Sequence, residues 1–257
     1  MFAKVKPNTQ IIGQNIIYFN QVNSTNKFAL ELIRQNLAEN GTVVLAEYQS
    51  EGKGQFGREW ISNPYENLMF SIILKHVTNA PANPFIINKT MTLSMYETIS
   101  ELLPGCDIRI KWPNDIYAGK RKISGILVEN NYSGQQLNYS IIGIGMNVNQ
   151  DFEPETSLNA TSLRSRTGQM TDRPLLLKNI LEKIEANYIR MTRQPEAIES
   201  AFNSHLMCYG ETCDFDIQNT VTRARVVECD SHGRLVLEIN NEQRPFMHGE
   251  IKQLVYA

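Results

Sequence analysis

Cysteine is scarce: the 257 residues contain only Cys106, Cys208, Cys213 and Cys229. None forms a CxxC pair and no histidine cluster has metal-ligand spacing, so reduced structural thiols are expected, with neither a zinc site nor a disulfide framework. Long apolar runs are missing too. Polar residues interrupt Ile11-Ile12 and Ile16-Ile17-Tyr18-Phe19, and no segment approaches the ~18 apolar residues that span a bilayer. A soluble, cytoplasmic protein is the expectation. Charge of one sign is also lacking, since the formal net charge is −2, which leaves no global electrostatic footprint for nucleic acid. With 42% hydrophobic and 20% charged residues and no internal repeat, the composition excludes a disordered or fibrous chain. The length suits one main domain with a small appendage.

Periodicity supplies the elements. Ser24 reads as a helix N-cap, with Phe28, Leu32, Ile33 and Leu37 on one face and Asn40-Gly41 as the stop. Residues 42–48 and 67–75 read as strands, 85–103 as a helix ended by Pro104-Gly105, and 108–112 as a short strand running into Pro113. Residues 122–129 and 139–148 pair as strands, and 175–191 and 195–206 are helical. Beyond Met207 the segments 211–217, 222–228, 234–239 and 245–254 are short and alternating, as in a small all-β module. A boundary near Cys208 divides the chain into 1–207 and 208–257.

Gly52-Lys53-Gly54-Gln55-Phe56-Gly57 satisfies GxGxxG literally. A dinucleotide fingerprint needs a helix next, but here the context is strand–loop–strand, and GxxxxGK[ST] is absent. The loop retains anion chemistry: glycines uncover backbone N–H groups, and Lys53 and Arg58 bracket them. Lys111-Trp112-Pro113-Asn114-Asp115 is the sharpest string, with Pro113 forcing a turn that presents Asn114 and Asp115. Lys122-Ile123-Ser124-Gly125-Ile126-Leu127-Val128-Glu129 follows. Gly125, like Gly143 and Gly145 ahead of Asn147, marks a strand that something approaches closely.

On five ordered segments the chain resembles the biotin–protein ligase family. They are Ser24-Thr25-Asn26, the loop 49–60, Lys111 to Asp115, Lys122 to Glu129, and Gly143 to Asn147. The resemblance implies an α+β fold: a mixed, largely antiparallel sheet flanked by helices, like class II aminoacyl-tRNA synthetases, with a C-terminal SH3-like β-barrel. It implies activation of biotin with ATP to biotinyl-AMP, then transfer to a lysine of a biotin carboxyl carrier domain. By resemblance Ser24, Thr25 and Gln49 hold the ureido ring, with Asn26, Gly52, Lys53 and Gly125 also on the biotin side. The loop of Lys53, Gly54, Gln55, Arg58 and Trp60 closes over the adenylate, beside Asn114 and Asn147. Lys122 holds the biotin carboxylate and α-phosphate, Lys111 adds charge, and Asp115 orients or deprotonates the incoming amine. Magnesium is expected with ATP, Asn147 being the candidate ligand. The four histidines fall outside every matched segment and read as structural or solvated.

Many members carry Gly-Arg-Gly-Arg where this chain has Gly52-Lys53-Gly54-Gln55. Adenylate retention is therefore expected to rest more on Arg58 and Lys122. The lead before Ser24 is too short for a helix-turn-helix, so no DNA partner is expected, and the chain is a monomer or homodimer. The rival readings are a lipoate or octanoate ligase of the same fold and a non-catalytic biotin-binding regulator.

Overall fold

Strand residues that alternate in chemistry must face different neighbours, and Ile142-Gly143-Ile144-Gly145-Met146 alternates large with none. The computed structural model describes residues 2, 5–76, 81, 83–152 and 159–255. Its main sheet comprises β1 (Ile16–Val22), β2 (Val43–Gln49), β3 (Leu68–Lys75), β4 (Ile108–Lys111), β5 (Asp115–Ala118), β6 (Arg121–Ser133) and β7 (Gln136–Met146). Their order is β1-β2-β3-β7-β6-β5-β4. Only the β1–β2 pair is parallel.

One face carries Phe70, Ile72, Ile142, Ile144, Met146, Ile126 and Ile116, all buried. Against it pack α2 (Phe85–Leu102) and, behind it, α4 (Arg173–Arg193) and α5 (Pro195–Ser204). Helix α2 is buried almost all round, so its hydroxyls turn inward to the backbone: Thr90, Ser94 and Thr98 each donate to the carbonyl four residues back, at 2.7–2.9 Å. On the opposite face α1 (Thr25–Arg34) covers Val44, Ile73 and Ile141. The rest of that face stays open.

Helix α1 begins where expected, at Ser24, but the Ser24 side chain makes no capping bond. It also ends earlier than Asn40-Gly41: Gln35 is the C-cap and Asn36 adopts a left-handed φ of 57°, which leaves Leu37 exposed. Strand β5 and the short α3 (Leu163–Thr167) were not foreseen. Four-residue pieces carry too little periodicity to register.

The second sheet holds β8 (Thr212–Ile217), β9 (Thr220–Cys229), β10 (Leu235–Ile239), β11 (Glu242–Phe246) and β12 (Ile251–Gln253), in the order β11-β10-β9-β8-β12. It is antiparallel throughout, as an SH3-like module requires. The expected single segment 245–254 is two strands. Contacts fasten this sheet to helix α2 and to the β4–β5 turn: Trp112 Nε1 donates to Gly233 O at 3.0 Å, and the fully buried Lys89 Nζ donates to Cys229 O at 2.9 Å. Among the described residues no helix is long and apolar enough to cross a membrane.

Glu47 and Arg173 form a buried pair joining β2 to α4, with Nη1 to Oε2 at 2.5 Å. Tyr18 and the Asn67 carbonyl complete their hydrogen bonds. Glu47→Gln would leave the guanidinium without its counter-charge, and urea unfolding should show a loss of about 3–5 kcal/mol. Burial also depresses the pKa of His76, His205 and His248 below the ordinary value of about 6.5. Below pH 6.5 the unfolded chain binds protons that the native state does not, so stability is lost as pH falls. The thermal midpoint should decline from pH 7.5 to 5.5, and His76→Gln should reduce that decline.

Candidate active site

The open part of the sheet face is a row of small or polar residues. Strand register aligns Met69, Gly145, Gly125, Asp115 and Lys111 across β3, β7, β6, β5 and β4. The next row aligns Ser71, Gly143 and Leu127. Each central glycine has an occupant above it. A Cβ on Gly143 would lie 2.5 Å from Asn26 Oδ1, and one on Gly145 2.5 Å from the Trp60 ring. A Cβ on Gly125 would lie 2.9 Å from Lys122 Nζ.

Lys122 reaches this face through a bulge. Ile116 pairs with Ser124, but Tyr117 pairs with Lys122, leaving Ile123 as the extra residue. Without it, Lys122 and Gly125, three positions apart, would point to opposite faces. Ile123 itself is fully buried. Lys122 Nζ pairs with Asp115 Oδ1 at 2.6 Å and lies 5.5 Å from the Trp60 ring centroid. Its backbone is clamped by Asn159 O and Thr161 N.

The loop between β2 and β3 closes on itself. Trp60 N donates to Gly52 O at 3.0 Å and Gly54 N to Arg58 O at 2.6 Å, around a single 3-10 turn at Gln55–Gly57. No helix follows, which excludes the dinucleotide reading. Trp60 Nε1 and Gln55 Oε1 are buried without a protein partner.

These groups line one cleft of about 1450 Å³. Ser24, Thr25, Asn26, Gln49, Lys53, Gly54, Gln55, Arg58, Trp60, Lys111, Asn114, Asp115, Lys122 and Gly125 all line it, as expected. Two expected residues do not. Gly52 lies beneath the loop, where a Cβ would meet Trp60 O at 2.9 Å. Asn147 is buried outside the lining, donating to Thr161 O at 3.0 Å, with its Oδ1 unpartnered. The end of β7 turns it into the protein. Asn114 reaches the cleft but is anchored, donating to Ile126 O.

Sequence reading missed the far wall. Asp216, Gln218, Asn219, Arg244, His248 and Lys252 of the second sheet face the same space. His248 lines the cleft and stands edge-on to Trp112 at 5.3 Å. Tyr117, in the unforeseen β5, and Glu129, the last residue of the Lys122–Glu129 string, also line it. Burial lowers the pKa of Lys111; Asp115 opposes this, while Lys252, Lys122 and Arg58 lower it further. Burial, then Asp115, pushes Tyr117 up to about 12. Cations crowded in a partly desolvated cleft repel one another, and a bound polyanion relieves that repulsion.

The sequence pattern of the biotin/lipoate A/B protein ligase family matches residues 18–147. The chain belongs to that family. The bifunctional ligase/repressor BirA of Bacillus subtilis is 32% identical over 253 residues, covering 95% of this chain and 75% of the relative. The biotin–[acetyl-CoA-carboxylase] ligase of Mycobacterium tuberculosis is 25% identical over 240 residues, 91% of this chain and 87% of its own. Among solved structures, the biotin protein ligase of Aquifex aeolicus in complex with biotin and ATP superposes with a TM-score of 0.77 at 26% identity, covering 94% of this chain and all of that one. Every family segment identified in the sequence contributes to the cleft.

Gly145→Ala should expel the Trp60 indole from its seat. Tryptophan emission should shift to the red, a change absent in a Trp60→Phe background, while unfolding free energy falls by less than about 1 kcal/mol because the loop moves instead of the sheet. Unchanged emission with a loss of about 1–3 kcal/mol would mean that the strain stays in the sheet.

Proposed function

We propose that this cleft activates biotin with ATP and passes the biotinyl group to a lysine of a carrier protein. The observation that carries the proposal is the meeting of Lys53, Arg58, Lys111 and Lys122 above a glycine-cleared floor. The chain is an ATP-dependent biotin–protein ligase. The biotin carboxylate attacks the α-phosphate of ATP, forming biotinyl-AMP and releasing pyrophosphate. A carrier amine then attacks the mixed anhydride, forming the amide and releasing AMP.

Two anions must meet in the first step, so the developing charge needs fixed cations. Lys122 is assigned to the carboxylate and α-phosphate, with Arg58, Lys53 and Lys111 on the remaining phosphates. Binding of these anions competes with Asp115 for Lys122, which are paired at 2.6 Å. A carboxylate released in this way sits on the same sheet row and can orient the incoming ammonium and accept its proton. Ser24, whose hydroxyl is spared from capping, joins Thr25 and Gln49 around the ureido ring. Trp60 and Gln55 carry unpartnered polar atoms over the adenylate. Among the described residues no group of three or more histidine, cysteine or acidic side chains could hold a metal, and Asn147 does not fit that role. A magnesium ion travelling with ATP would take its ligands from phosphate oxygens and water. The unit 208–257 contributes the opposite wall, and the carrier is assigned as a carboxyl carrier domain of a biotin-dependent carboxylase.

ATP–pyrophosphate exchange with biotin, octanoate and lipoate in parallel tests the reading. Exchange should occur with biotin alone, and Lys122→Ala should lower it about 10²–10³-fold. Exchange with octanoate or lipoate would assign the cleft to the other branch of the family; no exchange with any acid would leave a binding module.

A further inference from the structure

A polar chain runs beneath the biotin ring subsite, and its two ends are chemically unambiguous. At one end Thr25 N–H, which can only donate, lies 2.7 Å from a side-chain atom of Gln49. That atom must be Oε1, so the Gln49 amide nitrogen is left to donate into the cleft. At the other end Asn26 lies 2.6 Å from Glu129 Oε2. An ionised carboxylate only accepts, so Asn26 turns its Nδ2 to Glu129 and its Oδ1 inward. Ser71 Oγ, fully buried, is 2.5 Å from that Oδ1 and 2.7 Å from Thr25 Oγ1.

The directions of the protons follow. Asn26 Oδ1 cannot donate, so the single Ser71 proton goes to it. Thr25 Oγ1 then faces two acceptors, Ser71 Oγ at 2.7 Å and Gln49 Oε1 at 3.1 Å. Its proton is used on one of them, and only a lone pair remains for a ligand. The subsite thus offers an acceptor at Thr25 and a donor at Gln49. A cyclic urea, with N–H beside C=O, is complementary to that pair.

We infer that Glu129 is a positioning residue: acting through Asn26 and Ser71, it sets the hydrogen-bond polarity by which Thr25 selects an N–H donor. This rests on the assignment of Thr25 and Gln49 to the biotin ring. Glu129→Gln makes the terminus ambiguous, because an amide can donate or accept, and Asn26 is free to flip. Asn26→Asp alone sets two carboxylates against each other. The pair Asn26→Asp with Glu129→Gln restores the order, since the carboxylate placed on α1 would accept both from the new amide on β6 and from Ser71.

The test is biotin affinity by calorimetry and the KM and kcat of biotin-dependent pyrophosphate exchange, for the wild type, both single variants and the double variant. Each single variant should weaken biotin by about 10- to 100-fold with kcat within about threefold. The double variant should return to within about threefold of the wild type, a rescue that a purely structural role does not produce. Glu129 is exposed, so its substitution leaves the fold intact, and thermal unfolding checks Asn26→Asp. Wild-type affinity in Glu129→Gln, or a double variant no better than the weaker single, would overturn the inference. A wild type inactive with biotin would overturn the functional reading instead.

Discussion

The site depends on the space above β6 and β7 being empty of side chains. Gly125 opposes Gly145, and Gly143 lies between Ser71 and Leu127, so a patch of bare backbone opens at the centre of the sheet. Into that patch drop Asn26 from α1, Trp60 from the loop and the ammonium of Lys122. The same strands cannot also be loose, because bare backbone contributes no packing on that side. Ile142, Ile144 and Met146 supply it from the other face, against α2. A precise floor is thus held in place by a core that never touches a ligand.

Charge is organised around the same rows. Lys111, Asp115 and Lys122 come from three strands yet share one face, because hairpin register aligns the first two and a bulge rotates the third onto that face, where Lys122 pairs with Asp115. Asp115 is paired with Lys122 and also acts on Lys111, so an anion entering the cleft competes with it for these cations. The second sheet brings Lys252 up to the same cleft, where it further lowers the pKa of Lys111, and Arg244, which is paired with Glu242. Trp112 explains how it is placed: the indole adjoining the Pro113 turn donates to Gly233 and packs edge-on with His248. One motif therefore builds the floor charge and anchors the far wall.

The sequence alone was sufficient for much of this. Long helices such as α2 and α4 show in their apolar spacing, and the Lys111–Asp115 and Lys122–Glu129 strings identify the family. Alternating glycines in residues 141–147 disclosed a cleared surface before any fold was known. The signals are local, because burial of one face imposes a period on the chain that forms it.

Tertiary structure alone decided the rest. Ser71 reads as a stray hydroxyl in an apolar strand until register places it beside Thr25 and Asn26. Glu129, His248 and Lys252 belong to the cleft only because distant strands meet there. Lys122 would have been given the wrong face by simple alternation, and Asn147, at the end of a matched segment, turned away from the cleft. Periodicity specifies which side of an element is buried. Which elements share that side is settled by pairing between residues far apart in the chain, and no local pattern records it.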